Sequence, residues 1–577
     1  MANFYRDNAD ILFHLRQLDL SRVIDLKEDG FAERDLYPYA PKDTADALDN
    51  YDRVLEIIGE IAGEFAAPRA REVDEEEAAF ADGEVTYPAG IRAAVERLNQ
   101  ADMAGFTMPR RYGGINMPMT VFSMAIEIIS RADASLMLVF GLQGLSDTIC
   151  KFGSEEQRQK YLPRFATGEI VGSMALTEPD SGSDLQSAMM RAWQDENGVW
   201  RLNGVKRFIT NGCGDISLVM ARSEEGTTSG RGLSLFIYER DENMRIRRIE
   251  HKLGIKGSPT CELQFNDAPA ELLGKRKMGL VKYTIYLMNG ARLAVAAQSV
   301  GIAEAAYREA NAYARDRVQF KKPVRDFAAV YEMLTDMKIA IEAGRALVYE
   351  TSRIVDIKEG IEDRLEKHPE RTADLRDDLK RYTRFASLFT PLAKSYAAEM
   401  ANKVCYDAIQ VHGGVGFTKE FDAERHYRDA RITSIYEGTT QLQVVAAMGG
   451  IIGGAVSERL TEYEEECDYA ALGDLFADLQ QMRTQLEKAV SHIKAKGDSV
   501  YQEFHAGRLV AMTWDVINSY LLCRDALVSE RKKTVARLYM AKARHRLRAL
   551  LDYVVADDYS FIEGHRLVID EEGEAAG

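Results

Sequence analysis

At 577 residues the chain is too long for one hydrophobic core, and with 46% hydrophobic residues it has ample apolar material for several packed domains. Its formal net charge of −17 excludes a general polyanion-binding surface, since nucleic acid and anionic membranes attract the opposite sign. Cys150, Cys213, Cys261, Cys405, Cys467 and Cys523 are scattered, with no Cys-x-x-Cys pair and no metal-ligand spacing, so they read as reduced, mostly buried thiols and no metal is expected. The opening Met1-Ala2-Asn3-Phe4-Tyr5-Arg6-Asp7 lacks the apolar stretch of a secretory signal, and no uncharged run is long enough to cross a bilayer, which implies a cytoplasmic protein.

Residues 1–50 mix apolar and charged side chains and end in the helix-breaking Tyr37-Pro38-Tyr39-Ala40-Pro41; they read as an N-terminal extension. Residues 51–170 carry a helical pattern, with Ser154 and Gln157 spaced as a capping box ahead of Tyr161-Leu162. Over 171–275 the period shifts towards two, and Trp200-Arg201-Leu202-Asn203-Gly204-Val205 predicts an Asn-Gly hairpin turn between strands, with further strands at 233–238 and 261–265. Residues 276–452 return to helix: no proline occurs from Leu280 to Lys322, which predicts one or two long helices. A charged insertion near 356–380, broken at Glu366-Lys367-His368-Pro369-Glu370, lengthens a helical hairpin. Residues 453–577 form a further helical region to about Tyr559 and then an acidic tail, Asp570 to Gly577, that reads as disordered.

The segment Ile435-Tyr436-Glu437-Gly438-Thr439-Thr440-Gln441-Leu442-Gln443 sets one carboxylate between an aromatic ring and a glycine at a turn, a placement suited to a proton-abstracting base. Alone it is more often a solvated turn. Three other segments carry matching chemistry: Ala175-Leu176-Thr177-Glu178-Pro179-Asp180-Ser181-Gly182-Ser183-Asp184, Arg317-Val318-Gln319-Phe320, and Gln410-Val411-His412-Gly413-Gly414-Val415-Gly416-Phe417. In this order and spacing, over roughly residues 50 to 450, the four segments resemble the acyl-CoA dehydrogenase family of flavoenzymes. The segment 251–261 is similar to its larger, C-terminally extended members, the group that includes 3-methylmercaptopropionyl-CoA dehydrogenase, whereas Arg317-Val318-Gln319-Phe320 looks more like the short- and medium-chain members.

The resemblance implies an α+β, mainly α fold: an N-terminal helical domain, a middle β-domain and a C-terminal four-helix bundle, here with an extra C-terminal helical region. It implies FAD-dependent α,β-dehydrogenation of an acyl-CoA to the trans-2-enoyl-CoA, with Glu437 as base, the flavin opposite it, and electrons passed to an electron-transferring flavoprotein. Removing two hydrogens from an unactivated carbon–carbon bond needs a base and a hydride acceptor, and no side chain accepts hydride. Burial against the acyl chain and Tyr436 would lift the Glu437 pKa from about 4.3 towards roughly 6 to 7. The Glu437 amide, with a flavin ribityl hydroxyl, is expected to polarise the thioester carbonyl.

By the same resemblance Leu176 and Thr177 contact the isoalloxazine, and Ser183 lies near cofactor phosphate or the CoA chain. Phe208, where many relatives carry Trp, shields the flavin from a strand that also holds Thr210. Arg317 and Phe320, and Gln410 with Gly413 and Gly414, bind the same FAD from different subunits, which implies a homodimer or homotetramer. Thr439 and Gln441 belong with the residues after the base, and Asn289, Arg292, Tyr436 and Gly438 with the substrate. Some relatives carry their base at the position of Ala291, which cannot take a proton. Two alternatives stand beside this expectation. An acyl-CoA oxidase would pass its electrons to oxygen. A DNA-binding relative would use the locally basic stretch 531–548, although a packed helix with a solvated face is the more common meaning of such a stretch, and no nucleic-acid partner is expected.

Overall fold

The reciprocal cap expected at Ser154 is formed: the Gln157 N–H donates to Ser154 Oγ at 3.2 Å, and the Ser154 N–H donates to Gln157 Oε1 at 3.1 Å. It opens the last of a run of helices in a computed structural model that describes residues 2–570. These are α1 (Ala9–Gln17), α2 (Ser21–Lys27), α3 (Thr44–Glu60), α4 (Ala70–Glu76), α5 (Ala89–Gln100), α6 (Met119–Ala132), α7 (Ala134–Phe140), α8 (Gly144–Phe152) and α9 (Glu155–Ala166). A short antiparallel hairpin, β1 (Ala79–Ala81) with β2 (Glu84–Thr86), interrupts this otherwise helical stretch, and α3 runs unbroken across position 50.

The first 50 residues are integrated rather than appended. Tyr5, Ile11, Leu15 and Ile24 lie in the same core as the later bundle. Asp10 accepts from Arg345 at 2.5 Å and also pairs with Lys532, joining both ends of the chain to the centre.

The middle of the chain is a seven-stranded sheet of β3 (Gly172–Ala175), β4 (Arg191–Gln194), β5 (Trp200–Thr210), β6 (Ile216–Arg222), β7 (Leu233–Glu239), β8 (Met244–Ile249) and β9 (Thr260–Leu272). Its order is β3-β6-β4-β5-β9-β7, with β8 on β9, and a β6–β7 ladder closes the sheet on itself. The expected Asn203-Gly204 hairpin turn is not there. Both residues lie inside β5, where the pairing with β9 shifts register between Leu202 and Gly204, a bulge with Gly204 at φ +147°. The turn between β4 and β5 falls earlier, at Gly198, φ +77°, where Asp195 accepts from the N–H groups of Asn197 and Val199.

After the sheet come α10 (Ile285–Asp316), the two-residue strands β10 (Val318–Gln319) and β11 (Lys322–Pro323), α11 (Ala328–Lys367) and α12 (Thr372–His412). The charged stretch forms the tip of the α11–α12 hairpin, turning at Pro369–Arg371. Then follow α13 (Ala423–Arg431), α14 (Thr440–Ile452), α15 (Ala455–Glu466), α16 (Asp474–Lys496), α17 (Ser499–Ala526), α18 (Glu530–Val554) and α19 (Ser560–Ile569). Among the described residues no single helix is long and apolar enough to cross a membrane. The acidic tail beyond Asp570 lies outside the described residues. All six cysteines are free; Cys261, Cys405 and Cys523 are buried and the other three are partly exposed.

The basic stretch 531–548 falls in α18, and most of its cations are neutralised by this chain's own carboxylates. Arg531 meets Glu342 at 2.5 Å, Lys542 meets Asp336 at 2.6 Å, Arg544 meets Asp478 at 2.8 Å and Arg546 meets Asp515 at 2.6 Å. A helix whose charge is spent internally leaves little field for a polyanion.

Candidate active site

Residues 435–439 form a tight turn between α13 and α14, and two consecutive left-handed residues, Glu437 at φ +54° and Gly438 at φ +89°, give it its shape. The conformation suits Gly438 but strains Glu437, at a cost of order 1–3 kcal/mol that the surroundings must offset. They do so through backbone carbonyls. Arg292 Nε on α10 donates to Glu437 O at 3.3 Å, Gln443 Nε2 on α14 donates to Glu437 O and Gly438 O at 3.1 and 3.0 Å, and Lys394 Nζ on α12 donates to Gly438 O at 2.7 Å. Thr439 Oγ1 caps α14 by accepting from the Leu442 N–H at 3.4 Å. The Tyr436 hydroxyl donates to Gln298 Oε1, whose amide nitrogen donates to Ala134 O at 3.2 Å, so the turn is also tied to α7.

With its carbonyl thus occupied, the Glu437 carboxylate has no hydrogen-bond or ion-pair partner among the described residues, and its own N–H has no acceptor. Burial pushes its pKa up, against the opposing charges of Arg292 and Lys394. The result is an unengaged carboxylate with raised basicity on a rigid turn.

A cavity of about 530 Å³ reaches Asn289, Gly290 and Ala291 on α10, next to Arg292, which holds the turn; the turn itself does not line it. Its wall brings together parts of two stretches, Gly141, Leu142 and Leu145 with Tyr286, Leu287 and Asn289, and also includes Met174 of β3, Ala291 and Thr390. Most of this wall is apolar, and Asp147, Lys151 and Glu359 stand elsewhere on it. Asn289 Oδ1 accepts from Arg292 Nη1 at 3.1 Å, linking the cavity wall to the Glu437 turn.

Leu176 and Thr177 leave the end of β3, one residue beyond the cavity wall. Their loop is fixed by Lys206, fully buried on β5, which donates to Leu176 O and Glu178 Oε1, both at 2.8 Å. Glu178 in turn accepts from the N–H groups of Met189 and Met190 at 2.7 and 3.0 Å. Phe208 sits at a second β5 bulge with φ +60° and is 53% exposed, its ring 4.6 Å from the Arg207 guanidinium. The exposed ring leaves one aromatic face open to a ligand. Thr177, Ser183 and Thr210 keep side-chain hydroxyls without partners among the described residues.

Arg317, Phe320, Gln410, Gly413 and Gly414 lie together at the opposite end of the bundle, where the Tyr313 ring stacks on His412 at 4.5 Å. The β10–β11 turn exposes Phe320 by 88%, and Arg317 is exposed with no partner among the described residues. Gly413 has φ +66°, and a Cβ on Gly413 or Gly414 would meet nothing within 4 Å. Exposed glycine backbone beside an unpaired guanidinium fits a pyrophosphate. Tyr313 and His412 bring the Arg317 and Gly413 groups, which the resemblance assigned to one FAD from different subunits, to one end of the same chain. Asp316, the last residue of α10, lies 24 residues past Arg292, roughly 36 Å along the helix. Gln441 is exposed in the first turn of α14, near the Glu437 turn rather than with this cluster.

The anchors Lys206, Gln298, Lys394 and Gln443 escape a reading of the sequence. Their one signal there is a polar side chain within a helical or alternating apolar pattern, such as Lys394 between Leu392-Ala393 and Ala397-Ala398. The segment 251–261 proves to be a packing device: the Ile255 N–H donates to Asp429 Oδ1 at 2.5 Å, and a Cβ at Gly254 would lie 2.5 Å from the Arg428 backbone. It docks the sheet on α13.

A helical domain, a closed sheet and a helical bundle around one cavity, with an unengaged carboxylate linked to it through Arg292 and Asn289, are the architecture of the acyl-CoA dehydrogenases. Family models described as the N-terminal, middle and C-terminal domains of acyl-CoA dehydrogenase match residues 50–169, 173–268 and 281–449, and one described as acyl-CoA dehydrogenase C terminal matches 453–558. The chain is 32% identical over 524 residues to 3-methylmercaptopropionyl-CoA dehydrogenase of Ruegeria pomeroyi, covering 84% of this chain and 86% of that one. The structure of butyryl-CoA dehydrogenase from Megasphaera elsdenii superposes with a TM-score of 0.61 at 30% identity, over 70% of this chain and 98% of that one. An acyl-CoA dehydrogenase from Bacillus anthracis complexed with FAD shares the fold over 88% of both chains, with a TM-score of 0.70 at 23% identity. The chain belongs to the acyl-CoA dehydrogenase family, whose members are FAD enzymes acting on acyl-CoA.

Proposed function

We propose that this protein oxidises an acyl-CoA thioester to the trans-2-enoyl-CoA and that Glu437 takes the α-proton. The observation that carries this reading is the Glu437 carboxylate: half-buried, pushed up in pKa, free of partners among the described residues, and carried on a turn locked through its carbonyls and linked through Arg292 and Asn289 to an acyl-sized cavity. As the proton leaves, negative charge grows on the thioester oxygen, and the unoccupied Glu437 N–H is a donor suited to meet it. Asn289 and Arg292 hold the cavity mouth, and Tyr436 and Gly438 shape the turn against the acyl chain. FAD, when bound, supplies the hydride acceptor at the β-carbon, with Leu176, Thr177, Phe208 and Thr210 the residues to hold its ring and Ser183 near phosphate or CoA. An electron-transferring flavoprotein then takes the electrons.

The roughly 36 Å between the Glu437 turn and the Arg317–Gly413 cluster supports an oligomer. A dinucleotide ring-bound at the first site of one copy cannot also rest on the second site of that copy, so Arg317, Phe320, Gln410, Gly413 and Gly414 serve the FAD of a neighbouring copy. A homodimer is the least assembly this requires.

Anaerobic mixing of the FAD-loaded protein with a panel of acyl-CoA thioesters tests the reading: at least one must bleach the flavin with matching formation of enoyl-CoA. Retained flavin colour across the panel would reject it. Repeating the reaction in air separates the acceptors, because an oxidase turns over with peroxide production and a dehydrogenase requires the flavoprotein.

A further inference from the structure

Lys206, Lys394 and Lys532 are buried lysines of the described chain, each at most 2% exposed. Taking an ammonium out of water costs several kcal/mol unless a carboxylate and further hydrogen bonds offset it. Lys206 bonds Glu178 at 2.8 Å, and Lys532 bonds Asp10 and, at 3.0 Å, Glu342. Lys394 differs. Its hydrogen bond runs to a neutral acceptor, Gly438 O at 2.7 Å, and no carboxylate lies within 4 Å of it among the described residues. A lysine buried only to shape the bundle would do better as methionine.

The charges that face Lys394 are few: Glu437 on the turn, Arg292 from α10, and Glu399 on its own helix. Glu437 comes first among the attractions and Arg292 opposes, so the ammonium's field falls on the proposed base. We propose that Lys394 is a positioning residue for that base: its ammonium pins the Gly438 carbonyl, holds Glu437 in its left-handed turn, and by charge favours the carboxylate form of Glu437. The inference rests on Glu437 being the base. Burial also lowers the Lys394 pKa to about 8, so the ammonium is retained at neutral pH and lost as pH rises through that value. Below it, the cation lowers the pH at which Glu437 becomes competent. The acidic limb of the rate follows ionisation of Glu437, so the effect of the neighbouring cation shows there.

The test is the pH dependence of anaerobic flavin bleaching by acyl-CoA in the full-length FAD-loaded enzyme and three variants. Lys394→Met removes donor and charge, Lys394→Gln keeps a donor without charge, and Lys394→Arg keeps both. The Met and Gln variants are expected to move the acidic limb up by about one pH unit, a tenfold loss of rate below the limb, with Arg restoring the wild-type limb. If Met fails to fold, Gln against Arg still decides. Limbs that coincide in Lys394→Gln and wild type overturn the proposal, whatever happens to yield or stability. A wild-type enzyme that no acyl-CoA bleaches instead overturns the reading of Glu437 beneath it.

Discussion

Glu437→Gln separates a catalytic carboxylate from a structural one, because the structure fixes what the amide would and would not lose. The side chain makes no hydrogen bond among the described residues, and the turn is held through the carbonyls of Glu437 and Gly438, which the substitution leaves in place. Burial disfavours the charged form of Glu437, so a neutral amide of the same size relieves a penalty rather than creating one. FAD content, assembly and thermal midpoint are therefore expected to match wild type. An amide cannot take the α-proton, and loss of a general base costs about 10²- to 10⁴-fold, or about 3 to 5.5 kcal/mol on the barrier. Anaerobic stopped-flow bleaching of the loaded flavin by acyl-CoA reads this step alone. A variant that bleaches within tenfold of wild type, or one that loses its flavin, refutes the reasoning.

Three further outcomes are expected. Arg317→Ala removes the exposed, unpaired guanidinium and should lower both the flavin-to-protein ratio and the assembled fraction seen by light scattering; a fully loaded native oligomer contradicts the role. Lys532→Ala removes one of the two cations that each buried carboxylate holds, leaving Asp10 to Arg345 and Glu342 to Arg531, and should destabilise by about 1–3 kcal/mol, seen as a fall in apparent thermal midpoint, with bleaching at low temperature unchanged. In wild type the bleaching rate should rise with pH through a Glu437 pKa above the usual carboxylate range, because only the deprotonated base is competent and burial opposes its ionisation; a limb at or below about 4.3 contradicts that burial.

The division into helix, sheet and helix was legible because the hydrophobic period itself changes along the chain, and the Ser154 cap because its chemistry is local. Asn203-Gly204 misled for the converse reason. The dipeptide has strong turn chemistry, but β5 is paired on both edges, to β4 and β9, and the ladders absorb the pair as a bulge. The first 50 residues were read as an extension because their partners are remote: Asp10 meets Lys532 across 522 positions, whereas the packed-helix reading of the basic stretch holds once α17 and α18 pack and Arg546 meets Asp515.

At the site, Glu437 and the glycine-bearing segments were legible by motif, whereas Lys394 and Lys206 were not. What marks those two lysines is burial against a backbone carbonyl, a property of the folded helix face and strand pairing rather than of neighbouring letters. That Arg317 and Gly413 lie close in one chain was not legible, because their separation in sequence hides that α10 and α12 end side by side.

The most direct measurement is a crystal structure of the oxidised, FAD-loaded protein with a non-reactive acyl-CoA analogue. The account predicts the Glu437 carboxylate against the analogue's α-carbon, with the isoalloxazine on the other face of the acyl chain and the Glu437 N–H on the thioester oxygen. A carboxylate turned to solvent while both ligands are in place contradicts it.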